Sequence, residues 1–278
     1  MQLQIFVPMV TYPEASGREF AANAVSVAAR LQARLHARII NADMPDVPEA
    51  LSRLLLEIPQ LVRQVEEARR ERGAHRLAYL EEKADAAGVE LSTSAVDAPI
   101  AAFGGAAATQ ARYFDLTLVG WETGDTASRT VAEAVLFGSG RPVMLLPAEP
   151  DVAAFDHVAI AWDGGRVAAR AVADARPILE RASRVSVLTV VDEKPRARNE
   201  AGEQLAASLR EYGLDAQAVP VATGNAPLAH TLQQAAIRNG CQLLVMGGYG
   251  HSRIRDFILG GATEGVLTSL QMPVLLSH

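Results

Sequence analysis

"MGGYGHSRIRDFILGGATEG", residues 246–265, gathers glycines at 247, 248, 250, 260, 261 and 265 around a short amphipathic stretch. Glycine gives up more conformational freedom on folding than any other residue, so a cluster of this kind marks either a tight turn or the close approach of a ligand. The flanks favour a defined setting. "QLLVMG" (242–247) precedes the cluster as a short apolar run, and "QMPVLLSH" (271–278) follows it as another, with a helical segment between. Strand, glycine turn, helix and strand make a βαβ unit with parallel strands and a right-handed crossover. In such a sheet ligands bind beyond the carboxyl ends of the strands, and amides at a helix N-terminus left without partners suit an anion.

Working outward, the same plan occurs twice. "DLTLVG" (115–120) parallels "QLLVMG" at an offset of 127 residues, and "RPVMLLP" around Pro142 parallels "MPVLLSH" around Pro273 at an offset of 131. Each half opens on an apolar strand, "LQIFVPMV" from Leu3 and "HVAIAWDGG" from His157, followed by an Ala-rich amphipathic helix that Pro177 should kink in the second half. Second strands end at Asp43 and Asp192. The expected architecture is α/β: two tandem doubly wound domains, residues 1–150 and 151–278, each on a five-stranded parallel-type sheet. The boundary falls in the Pro-bearing acidic linker "PAEPDVAAFD" (147–156). The first half also carries an extra segment, about 48–88. There Leu51, Leu54, Leu55, Ile58, Leu61, Val62 and Val65 recur at helical spacing, broken by Pro59, and imply an inserted helix packed on its own domain.

Composition narrows the function classes. The 278 residues are 49% hydrophobic, 21% charged and only 5% aromatic, with a net charge of −6 and no Lys/Arg block, which argues against a nucleic-acid groove. No apolar run approaches the roughly 20 residues of a membrane span, and Met1 leads straight into the first strand without a signal pattern; the expectation is a cytoplasmic protein. Cys241 is the only cysteine and reads as a small buried hydrophobe. The six histidines show no i, i+4 pair and no Cys neighbour, so no metal site is expected. No nucleophile elbow is present, and Asp192-Glu193 reads as a cap or loop.

The glycine spacing is neither GxxxxGK[ST] nor GxGxxG. It is Gly247-x2-Gly250-x9-Gly260, and this resembles the nucleotide-binding signature G-x2-G-x9-G-[S/T] of the universal stress protein family. The resemblance spans 157–278 and, more weakly, the first half, so the chain looks like a tandem member with the adenine-nucleotide α-hydrolase-like fold. The resemblance implies an adenine nucleotide (ATP, ADP or AMP, with Mg²⁺ as an accompanying cation) in the C-terminal domain and a role in stress response. Asp163 in "AWDGG", beside Ala161 and Trp162, matches the aspartate that meets the ribose and adenine side. Val190 matches the adenine-lining residue. Met246, Gly247, Gly250, His251, Ser252 and Gly260 match the phosphate-side loop.

Gly261 stands where the family has a hydroxyl residue, which removes a hydrogen bond to phosphate worth on the order of 1 kcal/mol. That loss predicts weaker binding and a tilt from triphosphate towards AMP or ADP, with Thr263 the nearest substitute hydroxyl. The first half departs further. Its loop "VGWETGDTAS" carries Trp121 and Glu122, and its first strand "VPMVTYP" has no aspartate, so it reads as a degenerate, non-binding copy. Two other functions compete: a nucleotide-free interaction module in which the glycines only make a turn, and slow ATP hydrolysis, for which neither a general base nor a Walker-type lysine is present. The resemblance further implies pairing of the two halves through the last strands "RPVMLLP" and "MPVLLSH", and is compatible with a homodimer beyond that.

Overall fold

The computed structural model describes residues 2–12, 17–43, 58–122, 124–148, 155–191, 195–248 and 262–278. Ten strands lie in one sheet: β1 (Gln4–Val10), β2 (Arg34–Ala42), β3 (Leu91–Ala98), β4 (Leu116–Trp121), β5 (Val143–Pro147), β6 (His157–Ala161), β7 (Arg184–Val190), β8 (Ala216–Val221), β9 (Leu243–Gly247) and β10 (Val274–Ser277). Their spatial order is β3-β2-β1-β4-β5-β10-β9-β6-β7-β8. Read outward from the centre, the second half repeats the order of the first. Every pairing within a half is parallel, and the halves meet in one antiparallel ladder, Leu276↔Val143, Leu275↔Met144 and Val274↔Leu145. The expected pair of five-stranded sheets is therefore one continuous sheet, because the last strand of each half finds its missing hydrogen-bond partner in the other.

Sequence explains which strands sit inside. β4 (LTLVGW) and β5 (VMLLP) are buried at every position, as strands covered on both faces require, whereas the outermost β3 (LSTSAVDA) is polar and largely exposed. The other edge, β8, carries Pro220, which removes one donor from the open ladder.

Helices cover both faces, consistent with a doubly wound sheet. One face takes α1 (Arg18–Leu31), α2 (Ile58–Ala87), α5 (Arg166–Asp174), α6 (Arg176–Leu179) and α7 (Pro195–Glu211). The other takes α3 (Phe103–Ala111), α4 (Thr126–Gly138), α8 (Leu228–Arg238) and α9 (Ala262–Thr268). The break between α5 and α6 comes just before Pro177, which sits in the first turn of α6, where its missing N–H costs nothing. Between Pro48 and Gly88, the helix α2 occupies the crossover that α7 occupies in the second half, 30 residues long against 17. Residues 44–57, with Leu51, Leu54 and Leu55 of the apolar repeat, lie outside the described residues.

Two histidines occupy related places beside the strands. His36 on β2 shares a hydrogen bond with Ser92 Oγ (2.5 Å), and His157 at the start of β6 shares one with Ser186 Oγ (2.8 Å). Burial, followed by the neighbouring Arg34 and Arg184 respectively, lowers both imidazoles from their ordinary value. An unfolded chain therefore takes up protons that the native imidazoles refuse. Stability contributed this way is complete above the ordinary histidine pKa of about 6.5 and is lost as the pH falls below it. We expect the urea midpoint to drop between pH 7.5 and 5.5, and the drop to be smaller in His157→Gln. An equal drop in the variant would remove His157 from this account.

Candidate functional site

In an open parallel sheet the crevice forms where strand order reverses. In the second half that place is between β6 and β9, whose successive chain neighbours lie on opposite sides. The parallel ladders run up to Ile160↔Val245 and Ala161↔Leu188, so Asp163, Val190 and Gly248 stand at or just beyond the carboxyl ends of the adjacent strands β6, β7 and β9. Three of the residues drawn from separate stretches of sequence thus converge at one carboxyl edge, alongside Met246 and Gly247.

Their roles in the fold differ. Asp163 is exposed, and its Oδ1 accepts from the Gly165 amide at 2.7 Å. Gly164 between them adopts φ +76, a left-handed conformation that favours glycine, and so turns β6 into α5. One carboxylate oxygen is held by this turn while the aspartate remains at the surface of the crevice. Trp162 is committed elsewhere: its backbone N–H extends the β7 ladder to Leu188 O at 2.9 Å, and its indole Nε1 donates to Ala201 O on α7 at 3.1 Å. Ala161 and Val190 are partly buried against the core on the α8 side.

Gly247 and Gly248 are required by close packing. A Cβ on Gly247 would lie 2.8 Å from the backbone N of Ala168 and 2.7 Å from Val167 Cγ2, so the first turn of α5 rests directly on this strand end. A Cβ on Gly248 would lie 2.8 Å from Leu136 Cδ2, a side chain of α4 in the first half. The Gly248 carbonyl accepts from the terminal His278, and that ring meets Phe137 of α4 edge-on at 5.1 Å. Neither glycine takes a positive φ, so close approach and not left-handed backbone is what requires a glycine at Gly247. Gly250, His251, Ser252, Gly260 and Gly261 lie outside the described residues, as does Asp192-Glu193. Thr263 is buried in α9.

The corresponding edge of the first half is built differently. Counted on from the two ladders, Val10 at the end of β1 and Trp121 at the end of β4 are the counterparts of Asp163 and Gly248. Trp121 is buried, so an indole fills space that the second half leaves to a hydrogen atom. Beyond β1, Tyr12 is stacked under the Arg69 guanidinium of α2, 4.4 Å from the ring centroid. The N-terminus of α4 is already served: Asp125 accepts from the amides of Ala127 (2.9 Å) and Ser128 (3.3 Å) and from the Ser128 hydroxyl. The chain's own carboxylate thus holds the amides that an anion would need. Sequence reading had singled out Trp121 and Glu122 but missed Asp125, although an aspartate directly before "TAS" and an apolar helical run is a helix-start signal.

Cys241 is buried, and burial pushes its thiol up to about 11, which keeps it protonated and inert. Among the described residues no three His, Cys, Asp or Glu side chains gather as a metal site, and no helix is long and apolar enough to cross a membrane.

The doubly wound sheet, its strand order reversing between β6 and β9, defines the class as an open α/β fold. Residues 154–278 match the model of the universal stress protein family, and this half of the chain belongs to that family. The whole chain aligns with a universal stress protein from Archaeoglobus fulgidus DSM 4304 at a TM-score of 0.70 and 15% identity, covering 99% of this chain and 96% of that one. A candidate universal stress protein from Pseudomonas aeruginosa UCBPP-PA14 gives 0.56 and 16%, covering 99% and 93%. The cytoplasmic domain of a prokaryotic cation chloride cotransporter gives 0.52 and 10%, covering 99% and 95%. At these identities the structures show a shared tandem fold. Among curated proteins none matches the chain in sequence.

The packing of Gly247 makes a prediction independent of any ligand. Gly247→Ala drives a methyl into backbone that cannot yield by rotating a side chain, and should cost about 1–3 kcal/mol of stability. Urea unfolding without nucleotide should show the lowered midpoint; an unchanged midpoint would mean that the α5 contact is looser than described.

Proposed function

We propose that the second half binds one adenine nucleotide at the β6/β9 crevice and that the first half is a non-binding copy. The observation that supports this reading is the common carboxyl edge of β6, β7 and β9, at or just beyond which Asp163, Val190 and Gly247-Gly248 stand. Ribose hydroxyls donate well to a carboxylate, and Asp163 presents one at the crevice surface with its turn already formed. Val190 offers an apolar neighbour for a base. The family signature, Gly247-x2-Gly250-x9-Gly260, adds the phosphate side, with His251 and Ser252 at its start. The ligand is ATP, ADP or AMP, held weakly because Gly261 lacks the hydroxyl, with Mg²⁺ accompanying the charged forms. Asp125, Trp121 and Val10 support the non-binding assignment of the first half. Binding acts through conformation or partner choice in a stress response, in the cytoplasm.

A second reading has its own support. Gly247 and Gly248 are each explained by close packing, which is what a nucleotide-free interaction module needs from them. Ligand binding separates the two. On the first reading, AMP, ADP or ATP at roughly a hundredfold its Kd adds about 2.7 kcal/mol to the native state and raises the Tm by several degrees. Asp163→Asn keeps an acceptor for Gly165 N and so keeps the turn, but removes the charge that faces the ribose. We expect near-native stability with roughly tenfold weaker nucleotide binding. No thermal shift at millimolar nucleotide, together with no nucleotide released on denaturing the purified protein, would favour the interaction module.

A further inference from the structure

A cavity of about 200 Å³ opens where the two halves meet, on the face of the sheet that carries α1, α5 and α6. Its floor is apolar and drawn from both sides: Ile5, Leu31 and Leu116 from the first half, Ile178 and Leu275 from the second. No aromatic side chain lines it, and none of its lining residues belongs to the β6/β9 crevice. The volume falls below the roughly 300–1,000 Å³ of sites for drug-sized ligands, which leaves room for a small metabolite. Three charged side chains line the same space, Asp115, Arg141 and Asp174. Asp174 is engaged, since its Oδ2 accepts from Arg170 Nε at 2.8 Å, one turn earlier on α5. The other two keep capacity. Asp115, just before β4, accepts from the Gln4 amide through Oδ2 at 2.9 Å. Arg141, two residues before β5, donates through Nε to Arg112 O at 3.4 Å. Among the described residues, Asp115 Oδ1 and the two Nη atoms of Arg141 have no protein partner, and the two side chains form no ion pair with each other.

We propose that this cavity binds a free α-amino acid with a branched aliphatic side chain, of leucine's size. Opposite charges that line one cavity without neutralising each other call for a ligand that carries both. The ammonium meets the open oxygen of Asp115, and the planar Nη pair of Arg141 takes the carboxylate two-pronged. The aliphatic body covers the floor, where apolar surface removed from water favours the complex. A simple carboxylate would leave Asp115 uncompensated, and a simple amine would do the same to Arg141; the zwitterion satisfies both. Because the floor comes from both halves, the ligand also fastens them together. This site stands apart from the nucleotide reading and does not depend on it.

Isothermal titration of the full chain with L-leucine tests this, with 4-methylpentanoate and 3-methylbutylamine as probes that keep the aliphatic body and lose one charge each. Leucine should bind roughly tenfold more tightly than either. Arg141→Gln should weaken leucine roughly tenfold and leave 3-methylbutylamine unchanged. Asp115→Asn, which keeps an acceptor for the Gln4 amide, should weaken leucine by a similar factor and leave 4-methylpentanoate no weaker. Absence of leucine binding at millimolar concentration overturns the proposal. So does binding of either truncated probe as tight as that of leucine, or a leucine affinity that neither substitution moves. An equal loss for leucine and both probes in the two variants overturns it as well, because that pattern belongs to a packing defect.

Discussion

The antiparallel pairing of β5 with β10 governs the rest of the molecule. Each half alone would end in a short, largely apolar strand with an open row of amides and carbonyls, and such an edge invites association. Joined, Val143, Met144, Leu145, Val274, Leu275 and Leu276 are sealed from water, each worth about 1.5–3 kcal/mol when fully buried. The two cores become continuous across the junction, so that residues of both halves share one apolar cluster on each face of the sheet. The same pairing lays α4 beside α9 and brings Leu136 against Gly248.

The glycines illustrate how one residue type serves fold and site together. Gly247 lets the first turn of α5 rest on the end of β9, and Gly248 lets α4 close in from the other half. A methyl at Gly247 would push into the backbone of α5, whereas one at Gly248 would meet the end of the Leu136 side chain. The two halves diverge at this level: Asp163 and Gly248 leave an accessible carboxylate beside a strand end without a side chain, whereas Val10 and Trp121 fill the equivalent place and Asp125 supplies a built-in anion to α4.

Much of this was legible in the sequence because it depends on periodicity and local chemistry. Apolar runs separated by amphipathic stretches implied the parallel sheet and the offsets of 127 and 131 implied the repeat, while Asp163 in "AWDGG" was picked out through the resemblance. The pairing of "RPVMLLP" with "MPVLLSH" was legible through the resemblance. Other features depend on tertiary neighbours far apart in the chain. Nothing local to Gly248 announces Leu136, 112 residues earlier. Trp162 reads as a ligand neighbour from its place beside Asp163, but the alternation of β6 turns its indole to Ala201. Of the two readings of the glycines, tight turn or close approach, Gly247 takes the second, towards the α5 backbone, a distinction that spacing alone does not make. Asp125 was legible in principle, since its cap is a local signal.

The central claim is an asymmetry: one chain with two copies of a fold, one serving as the ligand site and the other as its support. Nucleotide stoichiometry tests it most directly. Native mass spectrometry of the intact chain, titrated with ADP, should show a single nucleotide per chain at saturation. Two nucleotides per chain would contradict the assignment of the first half, and none would contradict the assignment of the second.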